Sequence, residues 1–155
     1  MIAQPLVSII IPSFNREALI AETLQSVLDQ TYPTWECLIV DDGSIDGTKA
    51  VAQSFIEKDA RFKWLERHRE PKGAPTCRNI GIEKSKGEYV IFLDSDDLLY
   101  PHCIEKRTLI INKEFPDVLV SQGDISRHGE IIVNNFNKID SSFDSEKNLS
   151  AYFKK

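Results

Sequence analysis

The chain has 155 residues, of which 41% are apolar and 28% are charged, a composition typical of one soluble globular domain. Its 19 basic and 24 acidic residues give a formal charge of -5 without any basic run, so a duplex nucleic acid is not expected as a partner. The apolar runs are far shorter than the ~20 residues of a membrane-spanning helix, and the N-terminus has no signal-peptide pattern, which predicts a cytoplasmic protein.

Short runs rich in β-branched residues recur at an almost even spacing and predict the strands. They are Val7–Ile11, Cys37–Val40, Arg61–Leu65, Tyr89–Leu93 and Val118–Val120. In the segments between them, apolar residues repeat with helical spacing, which indicates successive βαβ units and a mainly parallel sheet. Most of these runs are nearly all apolar, as in strands covered on both faces, whereas Arg61–Leu65 alternates and is predicted to be an edge strand. The predicted fold class is α/β, a three-layer α/β/α sandwich.

Four helices are predicted around this sheet. Asn15 is a candidate N-cap for the first, and Asp46 for the second. Pro101 is well placed to open the fourth. Their predicted buried positions are Ile20, Leu24, Val27 and Leu28 in the first, Val51, Ala52, Phe55 and Ile56 in the second, Cys77, Ile80 and Gly81 in the third, and Ile104, Thr108 and Ile111 in the fourth. After these helices the pattern weakens, with one further candidate strand at Glu130–Val133 and a polar tail from Asn134.

Acidic residues directly follow two of the predicted strands. The second strand ends in Asp41-Asp42-Gly43-Ser44, and the fourth ends in Asp94-Ser95-Asp96-Asp97. Open α/β sheets bind ligands beyond the carboxyl ends of their strands, so we expect both motifs to converge at one rim. Asp94, Asp96 and Asp97 suit a hard divalent ion such as Mg²⁺ or Mn²⁺. A solvated turn with helix-capping aspartates would have the same pattern, and both interpretations stay open.

The other residues near this rim also have two interpretations. Asp-Gly-Ser is an ordinary turn sequence, but a carboxylate fixed at a strand end also accepts the imide N–H of uracil or the equivalent N–H of guanine, which cytosine lacks. Arg78, near the start of the third helix, could brace a diphosphate or hold one of the acidic residues.

Several other classes of site are disfavoured by what the sequence lacks. Cys37, Cys77 and Cys103 form no C-x-x-C pair and are odd in number, which argues against disulfides and a zinc site and favours small buried residues. There is no G-x-G-x-x-G, no P-loop and no G-x-S-x-G motif, so a dinucleotide dehydrogenase, a P-loop NTPase and a serine hydrolase are not expected. A response-regulator-like receiver domain would need an acidic pair after the first strand, where this sequence has Pro12-Ser13.

Five strings taken together resemble the family 2 glycosyltransferases, in the family's order and over about residues 6–125. They are Val7–Asn15, Gln30–Glu36, Val40–Thr48, Arg78–Ile82 and Gly87–Asp97. The resemblance implies an A-type glycosyltransferase fold, a nucleotide-sugar donor and inversion at the anomeric carbon. It also implies a divalent cation, Mn²⁺ or Mg²⁺, that bridges the donor's diphosphate.

The resemblance also implies roles for individual residues. Pro12 and Phe14 would line the nucleoside pocket, Asp42 would accept an N–H from the base, Asp96 would lie near the ribose and sugar, and Asp97 would bind the ion. The complete implied set is Pro12, Phe14, Asn15, Asp41, Asp42, Arg78 and Asp96 at the donor nucleotide, with Asp94, Asp96 and Asp97 at the metal.

The expected activity is metal-assisted transfer from a UDP-sugar to a glycan or lipid-linked acceptor in cell-surface polysaccharide synthesis. Residues 1–125 would bind the nucleotide-sugar, and residues 126–155 would begin an acceptor-side region, with peripheral membrane contact through regions beyond this chain. Inverting relatives use a downstream carboxylate as base, and none is recognisable here, since Asp140, Asp144 and Glu146 lie in the polar tail. The alternative is a nucleotide-sugar-binding module or fragment without catalysis.

Overall fold

The computed structural model describes residues 4–114, 116–119, 124–127 and 130–132. The chain divides into two compact units, Met1–Pro116 and Asp117–Lys155. The first unit alternates strands and helices: β1 (Val7–Ser13), α1 (Ile20–Leu28), β2 (Trp35–Asp41), α2 (Thr48–Lys58), β3 (Phe62–Glu66), α3 (Ala74–Lys84), β4 (Tyr89–Phe92) and α4 (Cys103–Glu114). Among the described residues, no helix combines the length and apolarity needed to cross a membrane.

The four strands form one parallel sheet in the order β3-β2-β1-β4. β1 and β2 are buried along their whole length, and β3 lies at an edge, as its alternating sequence predicts. In register, Ser13 at the end of β1 lies beside Asp41 at the end of β2. The residues after these two strands therefore emerge at the same rim of the sheet.

Successive residues of β1 face opposite helical layers, because side chains alternate along a strand. Ile9 and Ile11 belong to a core cluster that includes Leu24 of α1, Phe55 of α2 and Ile104 of α4. Ile10 belongs to a smaller cluster with Val40 of β2 and with Cys77 and Ile80 of α3. Helices thus cover both faces of a parallel sheet, and the predicted α/β sandwich is confirmed.

The start of α1 differs from the prediction. α1 begins at Ile20 with Leu19 as its N-cap residue, so the prediction of Asn15 as the cap is wrong. The amides of Leu19 and Ile20 donate to the carbonyl of Arg16, which forms a turn between Asn15 and the helix. Asn15 has a left-handed backbone with φ 51°, a conformation that asparagine tolerates better than most residues. The buried positions Ile20, Leu24 and Val27 are as predicted, whereas Leu28 is only partly buried.

In α2, Ala52 and Phe55 are buried as predicted, whereas Val51 and Ile56 are only partly buried. Gly47 is the N-cap residue of α2, but the neighbouring Asp46 carboxylate accepts the amide N–H of Thr48 at 3.0 Å, so Asp46 does bond to the first turn. α4 begins two residues after Pro101, at Cys103. Buried positions of α3 and α4 include all six that the sequence predicts: Cys77, Ile80 and Gly81, then Ile104, Thr108 and Ile111.

The predictions for the C-terminal region have mixed outcomes. Val118 and Leu119 are not in a strand, and Val120 lies outside the described residues. The second unit contains strand β6 (Glu130–Ile132), which confirms most of the candidate strand there, paired antiparallel with the unpredicted strand β5 (Ile125–Arg127). The tail from Asn134 lies outside the described residues, and the functional division at residue 125 stays a prediction.

The cysteines are free, with Cys37 and Cys77 buried and Cys103 partly buried. Burial raises the pKa of the Cys77 thiol to about 11, although this residue lies close to the rim of the sheet. The thiol therefore stays protonated near neutral pH and has little nucleophilic character. Cys37 and Cys77 are small buried residues, as the sequence predicts.

Candidate functional site

A cleft of about 350 Å³ lies at the carboxyl ends of the strands in the first unit. The residue after β2, the segments after β1 and β4 and the first turns of α3 all contribute to its walls. The lining residues are Pro12, Ser13, Phe14, Arg16, Asp42, Ala74, Cys77, Arg78, Asp94, Ser95 and Asp96. The two acidic motifs, which are far apart in the sequence, thus contribute to one cleft, as expected from the topology.

The cleft brings together most of the residues predicted for the donor and the metal. Those that line it are Pro12, Phe14, Asp42, Arg78, Asp94 and Asp96. Asn15, Asp41 and Asp97 are next to lining residues in the chain but are not part of the lining themselves. The binding role of each of these residues stays a prediction, while their contacts in the structure show what each one does within the fold.

Asp41 organises the turn that follows β2. Its carboxylate accepts the amide N–H groups of Gly43 and Ser44, at 3.0 and 2.9 Å, and also the hydroxyl of Ser44. Such Asx-type bonds hold a turn in one conformation. The Asp41 side chain is therefore engaged by the protein, and its effect on the cleft is to fix the direction in which Asp42 leaves the strand.

Asp42 forms a largely buried ion pair that was not predicted from the sequence. Its Oδ1 accepts Arg67 Nε at 2.5 Å, and its Oδ2 accepts the amide N–H of Gly73 at 2.9 Å. Gly73 provides this amide at φ 122°, a conformation that favours glycine. The Arg67 guanidinium also donates to the carbonyl of Arg69 at 2.6 Å. The Asp42 carboxylate is thus held in one orientation at the cleft wall.

Arg67 could not be recognised as a site residue from the sequence, because its contact with Asp42 depends on the register between β2 and β3. β2 pairs with β3 so that Asp41 lies beside Glu66, which places the following residues, Asp42 and Arg67, side by side. Both side chains are about 90% buried, with 12% and 11% exposed. An arginine one residue beyond an edge strand was the available signal, but only the parallel register connects it with Asp42.

The turn after β4 carries three carboxylates in different electrostatic settings. Arg78 Nη2 donates to Asp94 Oδ1 at 2.6 Å, so Arg78 does hold an acidic residue, one of the two roles considered for it. Arg16 Nη2 lies 3.8 Å from Asp96 Oδ2, a looser ion pair. Burial, with the nearby charges of Asp94 and Asp96, raises the pKa of the Asp97 carboxyl. Asp97 is the member of this set whose negative charge is least compensated.

The donor chemistry of this turn fits a hard divalent ion, because all of its charged ligand groups are carboxylates. The structure does not gather these groups into a preformed centre: within the described ranges, no group of three or more His, Cys, Asp or Glu side chains is placed to hold a metal ion. Two of the carboxylates face arginines instead. An ion at Asp96 and Asp97 would therefore require the side chains to rearrange.

Hydrogen bonds fasten the loop after β1 to the loop after β2. The amide of Asn15 donates to Ser44 Oγ at 2.9 Å, and the amide of Ile45 donates back to Asn15 Oδ1 at 3.0 Å. The amide of Arg16 donates to Thr48 Oγ1 at 2.7 Å. Asn15 therefore bridges two loops, and the backbone that carries Phe14 and Arg16 is held at the cleft.

Comparison with known proteins identifies the family. The sequence model described as Glycosyl transferase family 2 matches residues 8–144. The chain belongs to this family. TuaG of Bacillus subtilis (strain 168), provisionally named a teichuronic acid biosynthesis glycosyltransferase, is 45% identical over 106 residues, which cover 67% of this chain and 41% of TuaG. The chain spans less than half the length of TuaG and of two curated Rickettsia relatives that it also matches.

Solved structures of glycosyltransferases share the fold. TarS of S. aureus in complex with UDP-GlcNAc superposes with a TM-score of 0.66 at 29% identity, covering 70% of this chain and 32% of TarS. The mannosyltransferase PcManGT of Pyrobaculum calidifontis, in complex with GDP-Man and Mn²⁺, gives a TM-score of 0.61 at 27% identity, covering 71% of this chain and 32% of PcManGT. The predicted A-type glycosyltransferase fold is confirmed for this family 2 chain.

Proposed function

We propose that this family 2 chain binds the donor of a glycosyltransferase that moves a sugar from a UDP-sugar to a glycan or lipid-linked acceptor, with inversion and with help from a divalent cation. The observation that carries the proposal is the single cleft into which Asp42 and the turn residues Asp94 and Asp96 converge. TarS, with a similar fold, is solved with UDP-GlcNAc. PcManGT, which is solved in complex with GDP-Man and Mn²⁺, supports the cation.

The cleft contains an aromatic ring on which a nucleobase can stack and a carboxylate that can accept a hydrogen bond from it. Phe14 is half exposed and lines the cleft, so its ring is available for stacking against a base. The Asp42 carboxylate is fixed by Arg67 and the Gly73 amide. Each carboxylate oxygen has a second lone pair, so Asp42 can still accept the imide N–H of uracil. Cytosine carries a lone pair at the corresponding ring nitrogen, so its N3 cannot donate to Asp42.

The acidic turn offers a place for a cation next to the leaving group. Release of a nucleoside diphosphate develops negative charge on phosphate oxygens, and a divalent ion stabilises that charge when bound. Asp97 and Asp96 would hold this ion, because their carboxylates are hard ligands and the Asp97 charge is poorly compensated. The ion would relieve the repulsion among the three aspartates.

Isothermal titration of the full chain with UDP, GDP and CDP, each with Mn²⁺ and with EDTA, tests this proposal. We expect UDP to bind more tightly with Mn²⁺ than with EDTA. UDP should also bind at least about tenfold more tightly than CDP, because N3 of cytosine has no hydrogen to donate to Asp42. Preference for GDP would replace the uridine assignment with guanosine. Absence of binding for all three nucleotides would remove the proposed function.

The variant Asp97→Ala tests the position of the ion within the same experiment. It should lose the gain in UDP affinity that Mn²⁺ provides, while the affinity measured in EDTA stays within about twofold of the wild type. The matched control is Glu83→Ala, which removes an exposed carboxylate that pairs with Arg69 outside the cleft lining. If Asp97→Ala keeps the full effect of Mn²⁺, the ion is held elsewhere.

A further inference from the structure

Three hydrogen-bond donors of the cleft have no acceptor among the described residues. They are Arg16 Nε, Arg78 Nε and Ser13 Oγ, and each of these atoms is buried. Ser13 as a whole is only 3% exposed. Nearly all buried polar groups in folded proteins have a partner, so several unpartnered donors around one cleft indicate a ligand that supplies acceptors.

The Arg16 guanidinium differs from those of the other arginines of the site in its lack of hydrogen bonds to described residues. Arg67 and Arg78 donate to Asp42 and Asp94 within hydrogen-bond distance. Arg16 Nη2 is 3.8 Å from Asp96 Oδ2, which is beyond that distance, and in the described part of the chain its guanidinium makes no hydrogen bond. The donors of Arg16 are therefore available to a ligand.

The backbone of Arg16 is nevertheless well fixed. Its amide donates to Thr48 Oγ1 at 2.7 Å, its carbonyl accepts two amides that precede and begin α1, and the preceding Asn15 is bonded to the loop after β2. A fixed backbone under an uncommitted side chain lowers the entropy cost of binding, because only the side chain must be ordered.

The chemistry of these donors fits phosphate oxygens. A guanidinium presents a planar fork of N–H groups that matches phosphate, and a hydroxyl adds a further donor. Asp42 and Asp94 have their own arginine partners in the structure. Of the three aspartates that line the cleft, Asp96 is therefore the one that would compete with an anion for Arg16.

We propose that Arg16, assisted by Ser13, binds the diphosphate of the donor nucleotide and exchanges its ion pair with Asp96 for that ligand. This inference rests on the proposed function. Without nucleotide, the Arg16 cation occupies the vicinity of Asp96 and opposes a metal ion there. When the diphosphate takes Arg16, Asp96 becomes available to the ion, so nucleotide and metal each strengthen the binding of the other, as linkage requires.

The test uses Arg16→Gln in the full chain and two separate titrations. Binding of UDP in EDTA should weaken about tenfold, because charged hydrogen bonds to the diphosphate are lost. Binding of Mn²⁺ without nucleotide, followed by electron paramagnetic resonance of the free ion, should become about threefold tighter, because the competing exposed cation is gone. Arg16→Lys keeps the charge without the fork, so it should leave Mn²⁺ binding unchanged and still weaken UDP binding.

Arg69→Gln is the matched control, since Arg69 and Glu83 form an ion pair with 40% and 50% of their side chains exposed, against 41% and 49% for Arg16 and Asp96. It should change neither titration by more than about twofold. Changes of opposite sign for UDP and Mn²⁺ in Arg16→Gln alone would support the exchange. Wild-type UDP affinity or unchanged Mn²⁺ affinity in Arg16→Gln would overturn it while the proposed function stands, whereas a wild-type chain that does not bind UDP would remove both.

Discussion

At the scale of single residues, Asp42 serves the fold and the cleft at the same time. Its carboxylate joins the end of β2 to Arg67 beyond β3 and to the amide of Gly73 before α3. Because that ion pair is largely buried, removing one partner leaves the other charge without compensation, which is strongly unfavourable. The same contacts fix the carboxylate that we propose reads the base, so stability and base recognition depend on one side chain.

Substitution of Asp42 by alanine should therefore have two measurable effects. UDP binding should weaken about tenfold both with and without Mn²⁺, and the preference for UDP over CDP should disappear, because the acceptor for the imide N–H is lost. The urea midpoint should also fall, since Arg67 remains largely buried without its partner. Isothermal titration and urea unfolding measure these two effects.

Asp94→Ala is the matched control for this prediction, because it also removes an aspartate from an aspartate–arginine pair of the cleft. Asp94 is exposed, and exposed ion pairs contribute little to stability, so the urea midpoint should fall less than in Asp42→Ala. The preference for UDP over CDP should persist in this control. Loss of that preference in Asp94→Ala and its retention in Asp42→Ala would reverse the assignment of the base-reading carboxylate.

The sequence predicted the candidate site better on its acidic side than on its basic side. Asp42 directly follows β2, and Asp94 and Asp96 lie within four residues of the end of β4. Residues that follow the strands of a parallel sheet meet at its carboxyl edge. The partners of these carboxylates depend on information that is not local. Arg67 meets Asp42 through the register of β2 and β3, and Arg16 reaches Asp96 across the cleft. Neither contact can be predicted from the spacing of residues along the chain.

At the scale of elements, the position of α3 depends on its close approach to β1. A Cβ atom built on Gly81 of α3 would overlap the side chain of Ile10, above all its Cγ2 atom. Ile10 and the α3 residues Cys77 and Ile80 belong to one buried cluster. The first turns of α3 contribute Cys77 and Arg78 to the cleft, so the approach at Gly81 also sets where these residues lie.

Gly81→Ala should lower the free energy of unfolding by about 2 kcal/mol, because the added methyl group overpacks a well-filled interface. In the background of Ile10→Ala the same substitution should cost almost nothing, since the atoms that the methyl group would meet are gone and alanine favours the helix over glycine. Urea unfolding of the two single variants and the double variant measures this coupling. Equal costs in both backgrounds would show that Gly81 does not set the distance between α3 and β1.

The buried positions of three helices and the edge position of β3 were predicted well from the sequence. Buried positions along α1, α3 and α4 follow from apolar spacing, and the alternation in β3 marks it as an edge strand. The cap of α1 was wrong because Asn15 bonds instead to Ile45, in a loop 30 residues away. Strand β5 is three residues long, which is too short for a period-two pattern to be recognised.

At the scale of the first unit as a whole, a second polar cluster lies at the amino ends of the strands, opposite the cleft. The buried carboxylate of Glu36 accepts Ser8 Oγ at 2.7 Å, Lys63 Nζ at 2.6 Å and the amide of Lys86 at 2.6 Å. The amide of Gly87 in turn donates to Ser8 Oγ at 2.9 Å. This network ties β1, β2 and β3 to the turn that precedes β4, with each of its named donors and acceptors paired.

The Glu36 network makes the stability of the protein dependent on pH. Burial raises the pKa of Glu36. The hydrogen bonds from Lys63, the Lys86 amide and Ser8 together lower it by more than burial raises it, so the pKa lies below the ordinary value of 4.5. A carboxyl with a depressed pKa contributes stability that is present above its unfolded pKa and is lost as the pH falls through its folded pKa. The contribution of Glu36 should therefore be complete at neutral pH and decline below about pH 4.5.

Glu36→Gln should lower the free energy of unfolding by about 2 kcal/mol at pH 7, because the charged hydrogen bond to Lys63 is lost while the shape of the side chain is kept. The difference from the wild type should narrow as the pH falls below 4.5, because the unfolded chain then takes up a proton at Glu36 more readily than the folded protein does. Urea unfolding at several pH values measures both curves, with Glu22→Gln on the exposed face of α1 as the control for loss of one carboxylate. A difference that stays constant from pH 7 to pH 3 would mean that the network acts through its shape alone, because the charge of Glu36 would then contribute nothing.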